Sequence, residues 1–361
     1  MSGKKVLLSG NDAISNAAIR SGCRFYAGYP ITPQNEIPAY MAKHMPEAGG
    51  VFIQAESELA AINMVFGASS AGARAMTSSS SPGISLKQEG LSYIAAAELP
   101  AVVVNMMRAG PGLGNIWPSQ ADYFQATKGG GHGDYHLIVL APSTVQEAFE
   151  HTHLAFDLAD KYRNPVMILG DGLLGQIIEP VNTDIHFIAS KESKKEKKWA
   201  LTGAKKRKPN IIRSLFMNQD VLEKHNLKLQ EKYRQIQENE IRFEEYLTKD
   251  AEFIIVSYGT MARIVKDAVL LLRKENIKVG LFRPVSLWPF PYADLSRTCQ
   301  KVKNVLVVEM SYGQMIEDVK LALCESANIL FLGRSGGGIP SVEDIARKIK
   351  ELSGSISKKK Q

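Results

Sequence analysis

"RFYAGYPITPQNEI", residues 24–37, decides how this chain is read. Its first half carries the aromatic and small apolar residues of a buried strand. Its second half offers Thr32 as an N-cap and Pro33 at the first position of a helix, where a missing N–H is no loss. A strand that hands over to a helix within a few residues, through a turn stiffened by Pro30 and Pro33, is a joint of a parallel α/β sheet.

The same alternation extends in both directions. "KKVLLSG" (4–10) reads as a strand, "NDAISNAAIRSG" (11–22) as a helix opened by Asn11 or Asp12, "VFIQAE" (51–56) as a strand and "SELAAINMVFGASSAG" (57–72) as a helix. "ARAMTSS" (73–79) and "AVVVNMM" (101–107) are further strands on either side of a helix that Gly90 is expected to break or restart. After "HLIVLAPS" (136–143), a helix over 144–162 and "NPVMILG" (164–170) close the first α/β region, placed at residues 1–185. Residues 186–250 form a basic loop and a polar helical linker. Its thin apolar seam of Leu222, Leu229, Tyr233, Ile236, Phe243 and Leu247 suits one helix lying on another surface. A second, smaller α/β domain spans 251–352, and 353–361 is expected to be a flexible tail.

With 361 residues and 45% hydrophobic composition, the chain has ample core for two domains. The net charge of +7 is concentrated in one stretch, "KESKKEKKWALTGAKKRKP" (191–209), which alone carries nine basic residues against two Glu. Such a run suits a solvated loop better than a nucleic-acid site, for which there is no motif. Cys23, Cys299 and Cys324 are too few and too scattered for a disulfide framework or an iron–sulfur cluster, and suit a reducing cytoplasm. There is no apolar stretch of membrane-spanning length and no leader-like N-terminus.

Four unusual stretches follow strands: "AGYPITP" (27–33), "QAESE" (54–58), "TSSSSPG" (77–83) and "MRAGPGLGN" (107–115). In open parallel sheets ligands bind outside the carboxyl ends of strands, so these stretches share an address. Each also has a plain structural reading. Glu58 suits a helix N-terminus, "TSSSSPG" suits a capped turn, and Arg108 suits a salt bridge. His132 and His136 have no evident third ligand for a metal. "LGDGLLGQ" (169–176) has the Gly–Asp–Gly of a diphosphate–magnesium motif, but Asn182 lies too near to be its second ligand, which places Asp171 at a strand end or an interface. "GRSGGG" (333–338) reads as a glycine-rich domain corner.

Taken together, "YPITPQNE", "SSSSPGISLKQEG", "MRAGPGLGN" and "QADYFQATKGGGHGDYH" make the chain resemble the alpha subunit of the 2-oxoacid:ferredoxin oxidoreductases, most closely the branched-chain 2-oxoisovalerate type. The resemblance covers almost the whole chain. It implies a thiamine-diphosphate pyrimidine-binding domain followed by a transketolase C-terminal-like α/β domain. It implies thiamine diphosphate shared with a beta chain that carries the magnesium and an iron–sulfur cluster, with gamma and ferredoxin-like delta chains completing the assembly. The implied reaction turns a 2-oxoacid and coenzyme A into acyl-CoA and carbon dioxide and reduces ferredoxin.

The resemblance also assigns residues. Glu58 matches the glutamate that hydrogen-bonds the thiamine pyrimidine, with Glu56 as second choice, while Thr32 and Arg108 match the residues that approach the substrate carboxylate. Tyr29, Pro30, Ile31, Ser80, Pro82, Gly83, Gly112 and Asn115 belong to the pocket the motifs imply. A pyruvate- or 2-oxoglutarate-specific relative and a non-catalytic basic scaffold are the alternative readings.

Overall fold

The computed structural model describes residues 5–184, 196–324 and 326–359. In chain order the elements are β1 (Lys5–Ser9), α1 (Gly10–Arg20), β2 (Phe25–Gly28), α2 (Glu36–His44), β3 (Val51–Gln54), α3 (Glu58–Ser70), β4 (Ala75–Ser79), α4 (Ser81–Ala96), β5 (Ala101–Met107), α5 (Tyr123–Thr127), β6 (Ile138–Leu140), α6 (Val145–Tyr162), β7 (Pro165–Asp171), α7 (Gly172–Gln176) and β8 (Ile178–Asn182). The second half contributes α8 (Gln219–Asn239), β9 (Phe243–Tyr246), β10 (Phe253–Val256), α9 (Gly259–Lys274), β11 (Val279–Pro284), β12 (Ser286–Trp288), α10 (Tyr292–Cys299), β13 (Asn304–Glu309), α11 (Met315–Leu323), β14 (Asn328–Gly333) and α12 (Val342–Lys359).

A seven-stranded sheet runs β12-β6-β7-β5-β4-β2-β3, parallel except for β12, which pairs antiparallel with β6. Its central strand β5, Ala-Val-Val-Val-Asn-Met-Met, is buried at every position, as a strand covered on both faces must be. A second, five-stranded sheet runs β14-β13-β10-β11-β9, again parallel except at its β9 edge. One continuous apolar core joins them, with Ile254, Val256, Phe282 and Val305 of the second sheet packed into the cluster built on Val102–Val104 and Val166–Ile168 of the first.

Several local expectations are corrected. The first predicted strand forms, but β1 pairs antiparallel with β8 in a two-stranded ribbon outside the main sheet. Ser9, rather than Asn11 or Asp12, caps α1, its hydroxyl accepting from Asp12 N at 3.1 Å. Helix α2 starts at Glu36 instead of Pro33, after a turn closed by Gln34 N donating to Ile31 O at 3.1 Å. Pro38 explains the delay. In the first turn its missing N–H is harmless, whereas in a helix begun at Pro33 it would delete an interior hydrogen bond.

Helix α4 runs unbroken through Gly90. A Cβ there would lie 2.5 Å from Cγ2 of Ile62, so this glycine serves the close packing of α4 on α3. The linker helix α8 does lie on another surface, through buried Leu229, Tyr233 and Ile236, but it ends at Asn239. The buried Glu240 carboxylate that follows is held by Lys161, Tyr162 and Arg242. Phe243 therefore belongs to β9 of the second sheet, not to the helical seam. The basic segment expected over 191–209 lies outside the described residues up to 195. Beyond it, Lys197 bridges Asp160 at 2.8 Å. Helix α12 continues to Lys359, through most of the expected tail.

Candidate functional site

The four stretches singled out in the sequence follow β2, β3, β4 and β5, which are consecutive neighbours in the sheet. Glu58 opens α3 behind the Ser57 cap, whose hydroxyl accepts from Ala60 N at 3.2 Å, and is 6% exposed. Its carboxylate makes no hydrogen bond among the described residues, and it lies against α4. A Cβ placed on Gly83 would stand 2.5 Å from Glu58 Oε1 and 2.0 Å from Ser79 Oγ. Ser79 Oγ, Ser80 Oγ and Gln34 Nε2 are also buried without hydrogen-bond partners among the described residues. Buried polar groups are ordinarily paired, so the unpaired Glu58 carboxylate and the Ser79 hydroxyl beside it mark a place where a polar ligand belongs. Glu56, the second choice for the ring-facing carboxylate, is exposed.

Thr32 and Arg108 meet. Arg108 donates from Nη1 to Thr32 O at 3.1 Å and from Nη2 to Leu113 O at 3.0 Å, while its buried Nε has no hydrogen-bond partner among the described residues. Among the described residues it makes no salt bridge; its charge is held by two carbonyls and faces a cavity of about 660 Å³. Pro82, Arg108 and Gly112 line that cavity together with Asp122, Tyr312, Gln314 and Ser335. Tyr29 and Pro30 are exposed, Ile31 is half-buried, and Gly112 and Asn115 sit on an exposed loop. Asn115 Nδ2 donates to Gly336 O at 3.0 Å, so the "GRSGGG" corner supports the loop that follows Arg108.

The remaining motifs are structural. Asp171 ends β7 and caps α7, its Oδ1 accepting from Leu173 N at 2.9 Å and Leu174 N at 3.1 Å. His136 stacks on Trp288 with ring centroids 4.5 Å apart. Among the described residues no group of three or more His, Cys, Asp or Glu is placed to hold a metal.

Sequence reading missed three parts of the site. Lys87, four residues beyond Gly83 on the same face of α4, is completely buried. Its Nζ donates to Thr77 Oγ1 at 3.0 Å and Glu58 O at 3.4 Å. Burial pulls its pKa down to about 7, against the opposing field of Glu58. Asp122 accepts from Ser81 Oγ at 2.6 Å and Asn105 Nδ2 at 2.8 Å, and burial pushes its carboxyl up despite both bonds. Gln120 joins the two sheets, donating from Nε2 to Tyr258 O and accepting from Met310 N, each at 2.9 Å. A lysine among Ile84, Gln88 and Leu91 was the available signal for the first. The other two come from contacts across nearly two hundred residues of chain or from a turn, which no local pattern encodes.

Comparison with known proteins agrees with this geometry. Residues 16–245 match the family model described as "Pyruvate flavodoxin/ferredoxin oxidoreductase, thiamine diP-bdg", and residues 251–345 match "Pyruvate:ferredoxin oxidoreductase core domain II". The chain is 50% identical to "Ketoisovalerate oxidoreductase subunit VorB" of Methanothermobacter marburgensis, over 96% of this chain and 98% of that protein. It is 35% identical to "2-oxoglutarate synthase subunit KorA" of Methanothermobacter thermautotrophicus, over 97% of this chain and 99% of that one. Among solved structures, the 2-oxoglutarate:ferredoxin oxidoreductase from Magnetococcus marinus, with 2-oxoglutarate, coenzyme A and succinyl-CoA bound, superimposes with a TM-score of 0.84 at 29% identity. The match covers 97% of this chain and 65% of that longer one. A split-gene transketolase shares the fold, with a TM-score of 0.59 at 13% identity, over 97% of this chain and 98% of that one. The orphaned carboxylate of Glu58 and the cavity before Arg108 therefore stand in a subunit of the thiamine-diphosphate-dependent 2-oxoacid:ferredoxin oxidoreductase family, to which this chain belongs.

Proposed function

We propose that this chain is the alpha subunit of an enzyme that converts branched-chain 2-oxoacids, such as 3-methyl-2-oxobutanoate, and coenzyme A into acyl-CoA and carbon dioxide with reduction of ferredoxin. The observation that carries the reading is the Glu58 carboxylate, almost wholly buried, pressed against Gly83 and without a hydrogen-bond partner among the described residues. A carboxylate in that state fits the ring nitrogen of a bound aminopyrimidine. When bound, thiamine diphosphate supplies the electron-accepting ring that decarboxylation of a 2-oxoacid requires.

In this reading Glu58 shares a proton with the pyrimidine ring, and low surrounding polarity strengthens that bond. Arg108 and the Thr32 turn receive the carboxylate of the 2-oxoacid, with the two backbone carbonyls holding the guanidinium at one angle. The cavity walls favour a hydrocarbon side chain. Pro82, Ala109, Pro111 and Leu113 are apolar, and Arg108 is the one cation among the described residues that line it. A 2-oxoacid with a second carboxylate would find no second cation there, which agrees with the 50% identity to a ketoisovalerate oxidoreductase subunit.

A beta subunit would complete the site with the diphosphate, magnesium and an iron–sulfur cluster, and gamma and delta subunits would lead electrons to ferredoxin. Three cysteines, all free, leave cluster ligation to those partners and suit a cytoplasmic protein. The test is a 2-oxoacid panel with the assembled enzyme and a one-electron acceptor. Branched 2-oxoacids should give the highest kcat/KM, and Glu58→Gln should abolish turnover with the assembly intact. Preference for 2-oxoglutarate would overturn the substrate assignment, and full activity of Glu58→Gln would overturn the role of the carboxylate.

A further inference from the structure

The cavity before Arg108 is not made by the first sheet alone. Pro82, Arg108 and Leu113 line it from the first sheet's side, and Tyr312, Gln314 and Ser335 reach it from the turns that follow β13 and β14 of the second. Segments so distant in the chain can set the width of one cavity only if they are held in register.

The turn after β13 is held at both ends. Gln120 N donates to Met310 O, and Met310 N donates to Gln120 Oε1, each at 2.9 Å. Two residues beyond Tyr312, Gln314 spans the same seam, its Oε1 accepting from Phe124 N at 2.8 Å and its Nε2 donating to Ala121 O at 2.7 Å. Between these anchors Gly313 N donates to Ser311 Oγ at 3.0 Å, and the buried Glu309 carboxylate accepts from Ser311 Oγ at 2.9 Å and from Met315 N at 3.1 Å. None of these bonds involves the side chain of Tyr312.

Tyr312 sits at the tip of that turn, 84% exposed, and its side chain makes no hydrogen bond among the described residues. An aromatic ring stabilises a fold by being buried, so this one contributes little to the fold, and a serine would serve the turn as well. Single exposed apolar residues are ordinary on a surface. This one differs in bordering the cavity that the Arg108 guanidinium faces, on a backbone that the first sheet's side holds in place.

We propose that Tyr312 is a specificity-determining residue, whose ring forms a wall against the side chain of the bound 2-oxoacid and limits how large that side chain can be. The inference rests on the reading of Arg108 given above and deepens it. With the substrate carboxylate held at Arg108, the hydrocarbon end lies between the apolar first-sheet wall of Pro82 and Leu113 and whatever the second sheet presents. A ring there adds apolar contact for a compact branched chain and occupies the space that a bulkier one needs. Selection of this steric kind is worth about 10- to 200-fold between similar substrates.

The test compares the assembled enzyme in three forms: unmodified, Tyr312→Phe and Tyr312→Ala. kcat/KM is measured for 3-methyl-2-oxobutanoate and for 2-oxo-3-phenylpropanoate, a monocarboxylate with a bulkier side chain, and the ratio of the second to the first is read. Tyr312→Ala should raise that ratio about tenfold, chiefly through a lower KM for the aryl substrate, whereas Tyr312→Phe, which keeps the ring, should stay within about twofold of the unmodified enzyme. Melting temperature and calorimetric affinity for thiamine diphosphate should be alike in all three forms, since the ring is exposed and unbonded. An unchanged ratio in Tyr312→Ala, an equal change in both variants, a loss shared evenly by both substrates or a fall in cofactor affinity would overturn the proposal. The ratio compares two monocarboxylates within each enzyme, so it reports on Tyr312 even where the unmodified enzyme prefers 2-oxoglutarate; that preference would refute the underlying substrate reading instead.

Discussion

A methyl group on Gly83 would stand 2.5 Å from Oε1 of Glu58, so α4 reaches the carboxylate only because that position has no side chain. Gly83→Ala must push Glu58, Ser79 or the helix itself aside. We expect a destabilisation of about 1–3 kcal/mol from overpacking, and a loss of turnover well beyond what that stability change explains. Urea denaturation of the variant and assay of the assembled enzyme would check both.

Arg108→Lys tests whether the guanidinium fork matters beyond its charge. A lysine cannot donate to the carbonyls of Thr32 and Leu113 while also facing the cavity with two parallel N–H groups. The expected result is a KM for 2-oxoacids raised about tenfold, from the loss of roughly 1.5 kcal/mol in a charged hydrogen bond, with thermal stability unchanged. Equal KM values in the two enzymes would place the substrate carboxylate elsewhere.

Arg283 of β11 ties the second sheet to helix α6, donating to both carboxylate oxygens of Glu147 at 2.7 and 2.8 Å, and also donates to Glu244 of β9 at 2.8 Å. Burial pushes the Glu147 carboxyl up, but the Arg283 hydrogen bonds and charge outweigh burial and hold it at about 2. A carboxyl lowered by folding stabilises the fold above its unfolded value, and that contribution fades as pH falls through the folded value. The window is therefore from about pH 4.5 down to about 2, and the linkage contribution is at most about 3 kcal/mol. Glu147→Gln should be less stable at neutral pH. The gap from the unmodified protein should narrow as pH falls from about 4.5 towards about 2 in urea titrations.

Gln120 behaves as a piece of strand inserted between the sheets, pairing with the backbone of Tyr258 and Met310. Gln120→Leu preserves volume but leaves the buried Met310 N–H unpaired, while Tyr258 O keeps its bond from Ala262 N. The expected cost is about 1–3 kcal/mol, seen as a lower denaturation midpoint, with a looser cavity and a raised KM.

How much of this was legible in the sequence follows from physics that differs between levels. The strand–helix rhythm is written locally, in runs such as "AVVVNMM", and the shared address of Thr32, Glu58, Gly83 and Arg108 follows from it once the sheet is parallel. Where two local signals compete, the outcome depends on register. Thr32 and Pro33 advertise a helix start that Pro38 then moves to Glu36, and Gly90 advertises a break that its contact with Ile62 turns into a packing device. Gln120 has no local signature and Lys87 only that of a lysine on an inward helix face, since their contacts exist only when α3 lies on α4 and when residue 310 comes beside residue 120.

The place of β12 has a consequence for how the molecule is made. Ser286–Trp288 closes the outer side of β6, although it is synthesised after most of the second sheet. Until then the nascent first sheet presents an open row of unpaired backbone groups, which invites other chains to pair with it. A gene fragment ending before Ser286 would yield a sticky, self-associating product, and any split of this chain into two polypeptides must leave that short strand with the half it completes.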